Sequence, residues 1–190
     1  MKILGISGSP KKEGFTNILL NEALDGARAG GAGTDKIILN DLDFKPCQEC
    51  GGCDETGVCV LSDDMRAVYE KLEHADAFII ASPIYFGTVT AQLKAMIDRC
   101  QSLWVKKYIL KKGMVHPRSR KGIFICVAGK DNREYFESAK KIIKIFFVTL
   151  DVGYAGELFV CGTNKMTNNS KKLKDALLQS YELGLSLDKI

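Results

Sequence analysis

The sequence contains no run of apolar residues that approaches the roughly 20 needed for a membrane-spanning helix, although 46% of its 190 residues are hydrophobic. Residues 1–5 lack the apolar core of a secretory signal and lead directly into a predicted strand. We therefore expect a soluble, cytoplasmic protein that does not bind a membrane. The net charge of +4 is modest, and it does not favour nucleic acid as a partner.

Histidine is scarce, with two residues in the chain. His74 lies at the end of a predicted helix, and His116 lies in a loop before Pro117. An isolated histidine is more often structural or exposed than catalytic. We therefore assign no catalytic acid or base.

Cysteine, by contrast, is concentrated in one short segment. Four of the seven cysteines form a CxxCxxC repeat with a fourth member after five further residues: Cys47, Cys50, Cys53 and Cys59. Iron–sulfur clusters take four cysteine ligands from such runs, although the usual ferredoxin run places its fourth cysteine after three residues and follows it with proline. Because the chain has one run of this kind, we expect Cys59 to close the same site. Three glycines support a tightly wrapped loop: Gly51, Gly52 and Gly57.

Other interpretations of these cysteines remain open. Structural disulfides are disfavoured by the expected reducing compartment. Zinc is a competitor, but zinc ribbons usually separate two CxxC pairs by a long spacer. Thiol redox chemistry or cysteines without a function are further alternatives. Cys100, Cys126 and Cys161 lie among apolar residues, and we interpret them as small buried core residues.

Strand and helix patterns alternate along the chain. Strands are predicted at 2–7, 35–39, 75–82, 122–128 and 155–160, and helices at 16–28, 65–72 (capped by residues 62–64), 89–103, 132–147 and 170–187. This alternation predicts an α/β fold with a doubly wound, five-stranded parallel sheet, helices on both faces and the cysteine loop (residues 45–60) after strand two. We expect residues 1–190 to form one domain, because the length suits one well-buried core.

A segment rich in hydroxyl groups and glycine joins strand one to helix one. This phosphate loop, residues 7–17, leads into a helix N-terminus, where backbone N–H groups and the helix dipole attract anions. It is neither a GxGxxG fingerprint nor a Walker A motif, since Phe15 follows Gly14 where lysine would be required. The alternative is a well-capped helix with a solvated pair of lysines. Ser7, Ser9 and Thr16 can donate hydrogen bonds to such an anion, and Asn17 lies at the first helical turn.

A second segment, the aromatic loop (residues 82–87), leaves the carboxyl end of strand three. In a sheet of order 2-1-3-4-5 the crevice opens between strands one and three, so this loop and the phosphate loop face one ligand, as in FMN-binding flavodoxin-like folds. Pro83 fixes the backbone direction, Tyr85 and Phe86 offer flat apolar surface, and Gly87 lets main-chain N–H groups approach a ring. The alternative is a buried aromatic turn that covers the end of the sheet.

These motifs together resemble the iron–sulfur flavoproteins of the NADPH-dependent FMN reductase-like, flavodoxin-fold superfamily. The resemblance covers residues 1 to about 100 and rests on the phosphate loop, the cysteine motif, residues 63–65, the aromatic loop, residues 92–94 and residues 98–99. It implies noncovalent FMN, one 4Fe-4S cluster per subunit, homodimers or homotetramers, and electron transfer from ferredoxin to a small acceptor such as dioxygen, peroxide or a quinone. It further implies that the FMN phosphate is held by Ser7, Ser9, Lys11, Thr16 and Asn17, with Pro10 between them. The isoalloxazine ring would contact Pro83, Ile84, Tyr85, Phe86 and Gly87, and also the loop after strand four at Ala128 and Gly129.

Between Leu103 and Lys130 the chain carries eight basic residues and no acidic residue. These are Lys106, Lys107, Lys111, Lys112, Arg118, Arg120, Lys121 and Lys130. A basic face could steer an acidic ferredoxin or bind a nucleotide phosphate, but a solvated loop or an oligomer contact explains the pattern equally well.

Two further function classes stay open beside the iron–sulfur flavoprotein. One is an NAD(P)H-dependent FMN or quinone reductase without a functional cluster, and the other is a thiol- or zinc-binding sensor on the same scaffold. In the first class the chemistry would come from the two cofactors, because a flavin exchanges one or two electrons and a cluster exchanges one.

Overall fold

A computed structural model describes residues 1–113, 116, 119–167 and 170–187 of the chain. Its centre is a parallel sheet of five strands: β1 (Lys2–Ser7), β2 (Gly33–Ile38), β3 (Ala77–Pro83), β4 (Arg120–Val127) and β5 (Val152–Val160). The strand order is β2-β1-β3-β4-β5, which confirms the predicted topology. Strand β3 pairs with β1 and β4, and six of its seven residues are buried, as expected for a central strand covered on both faces.

Helices cover both faces of the sheet. They are α1 (Phe15–Ala29), α2 (Met65–His74), α3 (Ala91–Arg99), α4 (Gln101–Trp104), α5 (Glu134–Thr149) and α6 (Lys171–Ser186). One core layer packs α2, α3 and α5 against the sheet, and the second packs α1 and α6 against the opposite face. Short 3-10 turns follow β2 (Leu39–Asp41) and β5 (Thr163–Lys165). Within the described ranges, no helix combines the length and the apolar character required to cross a membrane.

The predicted third helix, 89–103, is interrupted at Cys100. The structure ends α3 at Arg99, begins the four-residue α4 at Gln101, and continues into a π-helical turn, Val105–Ile109. The apolar periodicity runs through this region without a break, so the sequence pattern alone does not reveal the change of helix type. π-Helical turns are rare and are frequent at functional sites.

Helices α1 and α6 approach each other unusually closely. A β-carbon added to Gly26 would overlap the carbonyl group of Tyr181, and one added to Gly184 would overlap the carbonyl oxygen of Ala23. The hydroxyl of Ser180 donates a hydrogen bond of 2.7 Å to the carbonyl of Leu19 across the same contact. Two glycines therefore allow this helix pair to pack backbone against backbone.

The three cysteines outside the cluster motif do not share one environment. Cys100 and Cys126 are buried, as predicted, and burial raises the pKa of each thiol above its ordinary value. Cys161 is partly exposed instead, and its thiol donates a hydrogen bond to Asp131. The prediction of a core residue is wrong for Cys161, because the side chain lies just beyond the end of β5 rather than inside the sheet.

Candidate functional site

The phosphate loop folds around the backbone of Lys11. The carbonyl oxygen of Lys11 accepts hydrogen bonds from the amide of Gly14 (3.2 Å) and from Nδ2 of Asn17 (3.0 Å). The hydroxyl of Ser9 bonds to the amide and to the carbonyl of the same lysine, at 3.2 Å each. These contacts hold the loop in a fixed turn at the N-terminus of α1.

The first turn of α1 retains capacity for an anion. Its N-cap, Gly14, has no side chain to accept a hydrogen bond from the helix, and the first N–H groups of a helix have no partner within it. Asn17 is buried, and its Oδ1 has no hydrogen-bond partner among the residues that the structure describes. Both features suit a ligand that supplies hydrogen bonds and negative charge at this end of the helix.

The aromatic loop ends in a tight two-residue turn. Tyr85 and Thr88 exchange backbone hydrogen bonds of 2.9 and 3.1 Å, and Phe86 and Gly87 between them have φ angles of 49° and 80°. Positive φ at both central residues is the geometry of a type I′ turn. The hydroxyl of Ser138, in α5, donates a hydrogen bond to the carbonyl of Gly87. The turn is therefore attached to α5 as well as to β3.

The two loops border one cavity of about 730 Å³ at the carboxyl ends of the strands, within the size range of small-molecule and cofactor sites. Seven predicted cofactor-binding residues line it: Ser9, Lys11, Thr16, Pro83, Ile84, Tyr85 and Gly129. The structure thus brings both loops to the same cavity.

Six predicted residues are not among the described residues that line this cavity: Ser7, Pro10, Asn17, Phe86, Gly87 and Ala128. Ser7 is buried and accepts a hydrogen bond from the amide of Ser9. Ala128 is buried, and its carbonyl accepts a hydrogen bond from the amide of Thr163. The side chain of Phe86 projects fully into solvent, because the positive φ angle turns it away from the strand end. Within one chain these residues shape the loops rather than the cavity wall.

Sequence reasoning missed one wall of the cavity. It is formed by the loop after β5, through Thr163 and Asn164, and by Val127 at the end of β4. The rule that ligands bind at the carboxyl ends of parallel strands could have indicated the β5 loop. Glu13, Gly14, Phe15 and Ile18, around the start of α1, complete the lining outside the predicted cofactor-binding residues.

The four cysteines of the motif line a second cavity, the cysteine cavity, of about 330 Å³. Cys47 and Cys50 are exposed, whereas Cys53 and Cys59 are partly buried. Burial, together with Asp54, raises the pKa of the Cys53 thiol. Among the described residues, no group of three or more His, Cys, Asp or Glu side chains is arranged so that it could hold a metal ion.

Three residues of the cysteine loop have a left-handed backbone, with φ angles of 49° at Glu49 and 69° at Gly51 and at Gly57. The prediction that glycines supply positive φ here is confirmed for Gly51 and Gly57. Gly52 serves close packing instead, because a β-carbon there would lie 2.7 Å from Val60. Gly57 packs on the π-helical turn, where an added β-carbon would lie 2.7 Å from Cβ of Lys106.

One arginine connects the two ends of the cysteine loop. Nη1 of Arg99 donates hydrogen bonds to the carbonyl of Lys45 (2.7 Å) and to Oδ2 of Asp63 (2.6 Å), and Nη2 donates to Oδ1 of Asp63 (3.0 Å). The hydrogen bonds from Arg99 hold the pKa of Asp63 below its usual value. Arg99 also lines the cysteine cavity, next to Gln101 and Ser102.

The two cavities lie at opposite ends of α3 and share no lining residue in the described part of the chain. At one end Thr90 caps the helix and donates a hydrogen bond of 2.6 Å to the carbonyl of Gly8 in the phosphate loop. At the other end Arg99 lines the cysteine cavity. The nine-residue helix between them is about 14 Å long at 1.5 Å per residue. Although the cysteine loop follows β2, its cavity is built against the far end of α3.

The predicted basic face is only partly a surface of free charge. Arg120 is buried in β4 and donates hydrogen bonds to the carbonyls of Leu72 (2.9 Å) and Leu150, so its assignment to that face is wrong. Lys106 pairs with Glu73 at 3.3 Å, and Lys107 pairs with Asp151 at 2.6 Å. Arg118 lies outside the described residues. Acidic partners from other segments, which local sequence cannot reveal, neutralise part of the stretch.

The chain belongs to the NADPH-dependent FMN reductase family, whose model matches residues 1–167. Within that family, its curated relatives include iron–sulfur flavoproteins, which confirms the resemblance found in the sequence. One, from Methanosarcina thermophila, is 42% identical over 111 residues, covering 58% of each chain. Another, from Methanocaldococcus jannaschii, is 38% identical over 149 residues, covering 78% of this chain and 71% of the relative. The match therefore spans little more than half of the first of these relatives.

A solved NAD(P)H:quinone oxidoreductase from Methanothermobacter marburgensis has the same fold. Its TM-score is 0.79 at 17% sequence identity, and the alignment covers 98% of this chain and 96% of that one. At this identity the likeness concerns the fold alone. It agrees with the five-stranded parallel sheet described above.

The larger cavity fits FMN, the cofactor that the family implies. The phosphate loop and the uncapped helix start suit its phosphate. Pro83, Ile84 and Tyr85 offer apolar surface for a ring on another side of the cavity. The cysteine cavity has the donor set of an iron–sulfur cluster, because four cysteines are among its lining residues.

Proposed function

We propose that the chain is an electron-transfer flavoprotein that holds FMN in the larger cavity and a 4Fe-4S cluster in the cysteine cavity. It would accept electrons from ferredoxin or a similar donor and pass them to a small acceptor such as dioxygen, peroxide or a quinone. The observation that carries this proposal is the presence of two separate cavities, one with a phosphate loop and one with four thiols, at the two ends of α3. When bound, FMN would exchange one or two electrons and the cluster one.

The residues of the larger cavity would bind and orient the flavin. Ser9, Lys11 and Thr16 would contact the phosphate, and Pro83 to Tyr85 the ring, with Gly129 on the opposite side. The tight packing of the loops would keep these groups in place without rearrangement, which lowers the cost of binding. Cys47, Cys50, Cys53 and Cys59 would ligate the cluster, with Cys47 and Cys50 on the solvent side, where a donor protein can approach.

A homodimer or homotetramer completes the proposal. Two side chains near the cysteine loop, Trp104 and Ile145, are large, apolar and exposed, and both border a cavity that also includes Cys47. Apolar surface beside a redox site suits contact with another protein. Sedimentation analysis of the reconstituted protein tests this assembly, and a monomer at micromolar concentration would contradict it.

The decisive experiment counts cofactors. Iron, acid-labile sulfide, zinc and FMN are measured after anaerobic purification and reconstitution, and we expect about four iron and four sulfide per chain, as a 4Fe-4S cluster requires, with one FMN. Cys53→Ser and Cys59→Ser should lose the iron but keep FMN. Cys161→Ser, a cysteine outside the motif, is the matched control and should keep both.

The remaining outcomes identify the competing functions. FMN without iron or sulfide would instead support an NAD(P)H-dependent FMN or quinone reductase, and zinc without flavin would support a sensor. Rapid mixing of the flavin-loaded protein with reduced ferredoxin and, separately, with NADPH then identifies the donor. Faster reduction by NADPH than by ferredoxin would overturn the proposed donor.

A further inference from the structure

Arg99 occupies a position that structural stabilisation alone does not account for. Its side chain is fully buried, yet it borders the cavity formed by the four cysteines. Buried arginines normally have every N–H group paired. Nε of Arg99 has no hydrogen-bond partner among the described residues. The contacts with Lys45 and Asp63 use three of the five N–H groups of the guanidinium, and the Nε–H group is among those left over.

Only one partner of the Asp63–Arg99 ion pair borders the cysteine cavity, as far as the described residues show. Arg99 lines the cysteine cavity, whereas Asp63 is absent from the described residues around it. Within the Asp63–Arg99 pair, the positive partner therefore borders the cavity. Two carboxylates, those of Glu49 and Asp54, also border it, and both residues are exposed. Solvent screens the exposed carboxylates, whereas it screens the charge of the buried Arg99 little.

The same guanidinium determines the path of the loop. Lys45 precedes the first cysteine by two residues and Asp63 follows the last by four, and Arg99 bonds to both. The backbone carbonyl of Arg99 in turn accepts a hydrogen bond of 2.7 Å from the hydroxyl of Tyr69 in α2. The loop is thus closed by one residue that α2 and α3 hold from two sides.

We propose that Arg99 is a positioning residue for the cluster, which closes the cysteine loop and directs positive charge at it to favour its reduced form. The inference rests on the proposed function, because it requires a cluster at the four cysteines. Reduction adds one electron, from the donor protein, to a site that already carries four thiolate charges. A neighbouring cation stabilises the more negative state and raises the reduction potential, and net charge and hydrogen bonds are known determinants of cluster potentials.

Three variants separate the charge from the closure of the loop. Arg99→Gln removes both, Arg99→Lys keeps the charge but loses the paired hydrogen bonds, and Asp63→Asn removes the negative partner. Lys94→Gln is the matched control, because Lys94 lies on the same helix, is exposed, and pairs with Asp98. Each protein is reconstituted anaerobically, and its cluster is titrated potentiometrically with electron paramagnetic resonance detection.

The expected shifts have opposite signs. Arg99→Gln should lower the ratio of reduced to oxidised cluster at least tenfold at a fixed potential, which corresponds to about 59 mV for one electron. Asp63→Asn should raise the ratio, and Arg99→Lys and Lys94→Gln should change it less than threefold. Shifts of Arg99→Gln and Asp63→Asn in the same direction, or no shift in either, would overturn the proposed charge effect.

Loop closure has its own measurement, which does not require the cluster. Hydrogen exchange of the amides in residues 45–63 should accelerate at least tenfold in both Arg99 variants, with and without metal, and stay unchanged in Lys94→Gln. Unchanged exchange in Arg99→Gln would refute the closing role. Failure of the proposed function is recognised separately, because the wild-type chain would then take up no iron and sulfide.

Discussion

Gly129, which follows β4, packs directly against the side chain of Asn164, which follows β5. A β-carbon added to Gly129 would lie 2.5 Å from Oδ1 of Asn164, a distance that real side chains do not tolerate. The amide of Asn164 also donates a hydrogen bond of 3.3 Å to the carbonyl of Gly129. Two loops that are distant in sequence thus form one wall of the proposed flavin cavity.

Replacing Gly129 should weaken FMN binding. In Gly129→Ala the new methyl group must displace the side chain of Asn164, which forms part of the cavity wall. We therefore expect the affinity for FMN to fall about tenfold, which corresponds to about 1.4 kcal/mol. Fluorescence titration of the flavin-free protein measures this. Gly153→Ala, where the β-carbon would lie at an ordinary 3.6 Å from its nearest neighbour, should bind normally. The double variant Gly129→Ala/Asn164→Ala should recover most of the loss, and failure to recover would contradict the contact.

The turn at Phe86 should respond to a residue that accepts its backbone conformation. A left-handed conformation costs most residues about 1–2 kcal/mol. Burial of the Phe86 side chain does not offset this cost, because the side chain is exposed. Asn-Gly is the favoured pair in type I′ turns, so Phe86→Asn should raise the free energy of unfolding by about 1 kcal/mol. Urea denaturation measures the change. Phe86→Ala, which relieves no strain, is the control, and an equal gain there would show that removal of the ring is responsible.

The close crossing of α1 and α6 should make Gly184 irreplaceable. Alanine normally stabilises a helix relative to glycine by up to about 1 kcal/mol, but here its methyl group would overlap the carbonyl oxygen of Ala23. Overpacking of this kind costs about 1–3 kcal/mol. We expect Gly184→Ala to lower the free energy of unfolding by roughly 2 kcal/mol, measured in urea. Gly33→Ala, which has space at 3.8 Å, should be neutral or stabilising.

The Asp63–Arg99 pair should make stability depend on pH in the acid range. Because hydrogen bonds from Arg99 hold the pKa of Asp63 below its usual value in the folded protein, the unfolded chain takes up this proton first as the pH falls. The contribution of the pair is complete above the usual aspartate pKa of about 3.9 and is lost as the pH falls through the lower folded value. Urea denaturation between pH 6 and 3 should show a shallower decline for Asp63→Asn. Arg99→Gln removes the cause of the pKa shift, so its free energy of unfolding should decline with pH as gradually as that of Asp63→Asn. A decline as steep as that of the wild type in both variants would contradict the proposed role of the pair.

The phosphate loop and the sheet order were predictable because their signals are local. Ser9, Gly14 and Thr16 lie between a buried strand and an amphipathic helix, and the chemistry of such a junction varies little between proteins. The contribution of Thr163 and Asn164 was not predicted, because only the folded sheet brings the end of β5 beside the end of β4. Likewise, cysteine spacing predicts a shared ligand but not the helix against which the loop packs.

Charged residues in the interior were the least predictable part. Arg120 resembles its basic neighbours in sequence, yet it is buried and bonds to the carbonyls of Leu72 and Leu150. Arg99 similarly resembles an ordinary C-terminal helix cation, and the sequence alone does not reveal its contact with Asp63, which precedes it by 36 residues. Long-range partners determine these positions, and a single sequence contains no direct record of them.

Helix α3 also restricts how the chain can vary in evolution. Thr90 contacts the phosphate loop at its start and Arg99 lines the cysteine cavity at its end, and each residue added between them would turn the arginine by about 100° around the helix axis and move it by 1.5 Å. A single insertion or deletion would therefore point the guanidinium away from the cysteines, even if the fold survived. We expect homologues that keep the four cysteines to keep the number of residues in this helix, and those that have lost the cysteines to vary it freely.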